Sequence, residues 1–161
     1  MKKIISVIMG SDSDLSTVKE TLNILKSFKV GFEVRVLSAH RTPKELVKYV
    51  EAATKKGTKV FIAAAGGAAA LAGVIASHTP LPVIGIPMET KSLKGLDSLL
   101  STVQMPAGIP VAGVAIGSAG AKNAAYLALQ ILGVADKKLQ AKILQMRKSQ
   151  AQKIKQIKIK L

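Results

Sequence analysis

"IISVIMGSDSDLSTVKETLNILKS", residues 4–27, decides the fold class. It opens with a short, almost wholly apolar run (4–10), then carries Leu15, Val18, Leu22 and Leu25 at spacings of three and four. A strand followed by an amphipathic helix produces that change of period from continuous to helical. Between the two, "GSDSD" supplies a glycine turn and short polar side chains, and Ser13 or Asp14 can cap the helix. The near-continuous apolarity of the strand implies burial on both faces, as in a parallel sheet covered by helices.

The same unit recurs along the chain. "FEVRVLS" (32–38), "VFIAAAG" (60–66), "LPVIGIP" (81–87) and "IPVAGVAIG" (109–117) read as further strands, making five. Helices are expected over 14–29, 43–56, 68–78, 93–102 and 119–132. In the second helix Pro43 suits the first turn behind Thr42 as N-cap, and Leu46, Val47, Val50 and Ala53 form one face. Strict βα alternation with right-handed crossovers predicts an α/β fold: a three-layer, flavodoxin-like, doubly wound parallel five-stranded sheet, in order 2-1-3-4-5. One domain is expected over 1–161, with its core at about 4–135 and a basic C-terminal helix at about 136–161. In that tail Leu139, Ile143, Met146, Ile154, Ile157 and Leu161 lie near helical spacing, while Lys and Gln fill the other faces. It reads as a solvated helix packed on a subunit neighbour, with its last alternating Ile and Lys residues fraying or taking another conformation.

Composition narrows the class. A chain of 161 residues that is 48% hydrophobic and 20% charged has material for one core and no signature of disorder before its tail. Cysteine is absent, which removes disulfide and thiolate chemistry and agrees with a cytoplasmic setting. No apolar run reaches the roughly 18–20 residues that span a bilayer, so no membrane partner is expected. "MKKIISVIMGSDSD" leads into acidic residues instead of a small-residue cleavage site, and reads as a first strand and not a signal peptide. The net charge of +15 is largely a property of the tail, where residues 137–161 hold nine Lys or Arg and no acid. With three Phe, two Tyr, no Trp and no zinc-knuckle or RNP-like segment, no nucleic acid is expected as partner.

In doubly wound sheets ligands bind beyond the carboxyl ends of the strands, near the switch point between the first and third. "GSDSD", "SAHRTP" (38–43) and "AAGGAAALAG" (64–73) each follow a strand, and are expected to face one crevice. No dinucleotide or Walker glycine spacing occurs, which leaves nucleotide cofactors without support. Ser11 and Ser13 at a helix N-terminus can receive a phosphate, while Asp12 or Asp14 would repel it and can accept ribose hydroxyls instead. His40 and Arg41 pair an imidazole, which can move a proton in either direction, with a fork that fits phosphate or carboxylate. A purely structural His40 at a strand end is the alternative. Gly66 and Gly67 let backbone N–H groups approach a ligand, or else make a packing turn. His78, far along the following helix, reads as structural.

"MGSDSD", "SAHRTP", "AAGGAAALAG", "DSLLSTVQMPAGIPVAGVAIG" (97–117) and "NAAYLALQIL" (123–132), in this order and spacing, resemble the N5-carboxyaminoimidazole ribonucleotide mutases, the class I PurE family. The likeness covers residues 4 to about 148. It implies a flavodoxin-like subunit in a homo-octamer, with sites built between neighbours, no metal and no cofactor. The implied reaction moves a carboxylate from the exocyclic nitrogen of an aminoimidazole ribonucleotide to its ring carbon 4, in purine biosynthesis. Carried onto matching positions, Ser11 and Asp14 would bind substrate, Arg41 would grip its phosphate and His40 would be the acid/base. Ser38, Ser13, Gly66 and Gly67 would add contacts.

One departure stands out. The usual bacterial loop reads "GGAAHLPG", where this chain has Ala70 for the histidine and Ala72 for the proline, so any role of that histidine does not carry over. Arg41-Thr42-Pro43 and Gly66-Gly67-Ala68-Ala69 side against the animal-type carboxylase branch, whose patterns are "AHKGP" and "GRSNG". Direct carboxylation of aminoimidazole ribonucleotide with carbon dioxide is the alternative activity, and a non-catalytic ribonucleotide-binding module is the alternative class.

Overall fold

A computed structural model describes residues 2–159. Five parallel strands, β1 (Ile5–Met9), β2 (Phe32–Val36), β3 (Val60–Ala65), β4 (Val83–Pro87) and β5 (Ala112–Gly113), pair in the order β2-β1-β3-β4-β5. This is the expected doubly wound order. The helices are α1 (Leu15–Ser27), α2 (Pro43–Lys56), α3 (Leu71–Ser77), α4 (Leu96–Val103), α5 (Gly117–Gly133) and α6 (Lys137–Lys155).

Successive side chains of a strand point to opposite faces, and that alternation divides the core in two. Ile5, Val7 and Met9 join Val60, Ile62, Ile84 and Ile86 beneath α1, α5 and α6, which contribute Val18, Leu25, Ala124, Ala128, Leu129, Leu139 and Ile143. Ile8, Phe61, Ala63 and Val83 meet Leu46 and Val50 of α2 and Leu71 and Ile75 of α3 on the other face. Ser6 shares that second face, 1% exposed, and its hydroxyl is satisfied by the Tyr49 hydroxyl at 2.8 Å. The α2 boundaries match the sequence signals: Pro43 in the first turn, Lys55 and Lys56 in the last, and Gly57 at φ 99° after it.

Four local expectations are corrected. The strand read over 109–117 shrinks to Ala112–Gly113, both exposed, at the sheet edge. Pro110 has no N–H for a ladder, Gly108 turns at φ 92° with the Ile109 N–H on the Pro106 carbonyl, and α5 already begins at Gly117. The helix read over 68–78 starts at Leu71, because Gly67 (φ 67°) and Ala69 (φ 36°) give a turn instead of a first helical turn. Ahead of α1 a short 3-10 turn, Asp12–Asp14, is capped by Ser11, whose Oγ accepts from the Ser13 N–H. Asp14 sits at the α1 N-cap position without a side-chain capping bond. Thr42 likewise occupies the α2 N-cap position without capping it.

In the tail, Leu139 and Ile143 are buried and Met146 packs against the core, whereas Ile154 and Ile157 are 69% and 65% exposed and α6 ends at Lys155. Leu161 lies outside the described residues. Among the described residues no helix is long and apolar enough to cross a membrane.

Candidate active site

The carboxyl ends of β1, β2 and β3 open into one cavity of about 460 Å3, at the switch point between β1 and β3. The first loop lines it with Ser11, Ser13 and Asp14, the second with Ser38, His40 and Arg41, and the third with Gly66, Ala69 and Ala70. The three loops expected to share a crevice do so.

The second loop is closed by its threonine. Thr42 Oγ1 accepts from the Ser38 N–H (2.9 Å) and donates to the Ser38 carbonyl (3.1 Å), which also accepts from the Thr42 N–H (3.0 Å). Ala39, His40 and Arg41 are thereby confined to a loop with both ends pinned, and His40 stands exposed at the cavity wall. Arg41 is drawn inward: its Nη2 donates to the Gly10 carbonyl at 2.9 Å, and its backbone N–H and Nε donate to Ser38 Oγ at 3.2 and 3.4 Å. The guanidinium therefore sits over the end of β1 with further N–H groups left for an anion.

In the first loop, Ser13 Oγ donates to Ser11 Oγ (2.9 Å), which in turn donates to Asp12 Oδ1 (3.2 Å). Asp12 is exposed, and Asp14 is the carboxylate that lines the cavity. Burial raises the Asp14 pKa above the ordinary carboxylate value and the nearby Asp12 charge adds to the rise, against the opposing influence of the Ser11 backbone and the polar Ser13 side chain. A cavity with a carboxylate and hydroxyls on one wall, and an imidazole and a guanidinium on the other, can hold a polyhydroxylated anion such as a sugar phosphate and transfer a proton.

The third loop differs from expectation at one glycine. Gly66 lines the cavity, but Gly67 does not, and its N–H donates to Ser98 Oγ of α4 at 3.0 Å. Ser98 carried no signal in the sequence, since a lone serine within a helix has no diagnostic spacing. Ala70 lies in the cavity wall and Ala72 is buried. His78 ends α3 just ahead of the start of β4, away from the cavity, in an opening of about 850 Å3 walled by Pro80, Pro82 and Pro110, where neighbouring Thr79 is bonded to Thr54. Among the described residues no three His, Cys, Asp or Glu stand close enough to hold a metal ion.

A family model described as AIR carboxylase matches residues 4–153. The chain belongs to that family. Its relatives in the AIR carboxylase family include proteins named N5-carboxyaminoimidazole ribonucleotide mutase. That of Saccharolobus solfataricus is 57% identical over 86% of this chain and 87% of its own, and that of Bacillus subtilis 49% identical over 96% and 95%. Among solved structures, Treponema denticola PurE2-S38D superposes with a TM-score of 0.87 at 30% identity, covering 96% of this chain and 94% of its own.

Proposed function

We propose that the chain is an N5-carboxyaminoimidazole ribonucleotide mutase of purine biosynthesis, converting the N5-carboxylated ribonucleotide into 4-carboxy-5-aminoimidazole ribonucleotide. The observation that carries this is the identity of 49–57% to proteins of that name over nearly the full chain, which weighs for carboxylate transfer over direct carboxylation. The arrangement of the cavity fits the chemistry. Arg41, held over the end of β1, grips the phosphate with help from Ser11 and Ser13, and Asp14 accepts from the ribose hydroxyls. His40 is the acid/base. Loss of carbon dioxide from the carbamate leaves the exocyclic nitrogen to take a proton, and attack of ring carbon 4 on that carbon dioxide leaves a ring proton to be removed. One imidazole serves both transfers while the gas stays in the cavity. Ser38 and the Gly66 backbone complete the walls, and Gly67 acts indirectly through its turn.

The reaction needs neither metal nor organic cofactor in this scheme. The enzyme works in the cytoplasm as one domain per chain, with no nucleic-acid or membrane partner. Assembly to a homo-octamer is supported by the apolar outer side of α4 and the segment before it, where Leu93, Leu96, Leu100 and Val103 are 43–56% exposed. The test of the site is His40→Asn. Loss of the proton carrier is expected to lower turnover of the carbamate substrate by about a hundredfold or more while ligand affinity stays within about tenfold. Near-normal turnover would return His40 to a structural role.

A further inference from the structure

The glycine turn in the cavity wall is held from behind by a helix that does not touch the cavity. Ser98 on α4 is fully buried, and its Oγ receives the Gly67 N–H at 3.0 Å. Its backbone N–H is fixed in turn by Asp97 Oδ1 at 2.9 Å, and the same oxygen accepts from Thr90 Oγ1 at 2.8 Å. Thr90 Oγ1 then accepts the Gly95 N–H at 3.1 Å, closing the loop between β4 and α4. The turn needs such support. Ala69 holds a positive φ that its side chain makes costly, and α3, which follows it, begins with no side-chain cap at Ala70.

We propose that Ser98 is a positioning residue for carboxylate transfer: through Gly67 it fixes the turn from Gly66 to Ala70 against the reacting groups, and the Thr90–Asp97 pair fixes Ser98. The proposal rests on the mutase reading above. A turn free to shift would widen the space in which released carbon dioxide waits, so capture by ring carbon 4 would compete less well with escape. Small displacements of reacting groups cost up to about a hundredfold in rate.

The test compares wild type with Ser98→Ala, Asp97→Ala and Asp97→Asn. Ser98→Ala is expected to lower kcat by about tenfold or more with KM changed less than about threefold, and to release more free aminoimidazole ribonucleotide per carboxylated product. Since both donors to Asp97 meet one oxygen, the amide of Asp97→Asn can replace it, and this variant is expected to retain activity that Asp97→Ala loses. Equal loss in the two Asp97 variants, or wild-type kcat and product ratio in Ser98→Ala, would overturn the proposal. Hydrogen exchange at the Gly67 amide gives an arm independent of turnover, with faster exchange expected in Ser98→Ala. A wild type inert toward the carbamate would sink the mutase reading. Unchanged Gly67 exchange would sink the positioning role whether or not the enzyme turns over.

Discussion

Asp14 is where ligand binding and folding stability pull in opposite directions. Its pKa is raised chiefly by burial, so the folded protein holds the Asp14 proton more tightly than the unfolded chain does. The sign follows from linkage: this group's contribution to stability is fully present below the ordinary carboxylate pKa and is lost as pH rises through the raised folded value. At neutral pH the ionised side chain thus costs stability, and Asp14→Asn is expected to melt at a higher temperature than wild type. The gain should vanish in acid, where both side chains are uncharged. The same substitution should weaken ribonucleotide binding, because a carboxylate accepts from two hydroxyls with charge assistance and an amide does not. Thermal melts across pH, with and without ligand, read both effects. A variant that melts lower at neutral pH, or binds as tightly as wild type, would contradict the role given to Asp14.

At the scale of elements, the site is a set of loops tied across the ends of neighbouring strands. The β2 loop is tied to β1 by Arg41 on the Gly10 carbonyl, the end of β1 to β3 by the Gly10 N–H on the Ala64 carbonyl at 3.0 Å, and the β3 loop to α4 by Gly67 on Ser98. Thr42→Val removes both hydroxyl bonds that close the second loop while keeping the shape of the side chain. It is expected to cost about 1–2 kcal/mol in denaturant unfolding, and to lower kcat as His40 loses its fixed place. Unchanged stability and kinetics would mean that the Ser38–Thr42 loop holds itself without the hydroxyl. Much of this level was legible in the sequence. Continuous apolar runs and three-and-four spacing placed most strands and helices, their alternation with right-handed crossovers led to the sheet order, and the rule of strand ends placed His40 and Asp14 in one cavity. What escaped depended on distant backbone. Nine apolar residues at 109–117 look like a strand, yet Pro110 and the turn at Gly108 leave two to pair. Thr42 has the position of a cap and spends its hydroxyl on Ser38 instead, and Ser98 meets its partner 31 residues away.

For the whole molecule, exposed leucines on and before α4 are surface that a lone subunit would leave to water. Light scattering is expected to show an octamer at working concentration, and a monomer would contradict that assembly. The distal tail is a different matter. Leu139, Ile143 and Met146 hold α6 to the core, while Ile154 and Ile157 touch little, so removing residues 149–161 is expected to spare catalysis and the melting temperature. Lost activity would show that the tail shapes the site. The central claim is that the carboxylate moves within one cavity, between two atoms of one substrate, without passing through the medium. Supplying the unlabelled carbamate substrate in labelled bicarbonate tests it most directly. Encounter held inside the cavity predicts product whose carboxylate is mostly unlabelled, without ATP or added metal, with some leakage where Ala70 lines the wall in place of a bulkier side chain. Product labelled to the level of the medium would contradict it, as would a carbamate left inert while aminoimidazole ribonucleotide is rapidly carboxylated.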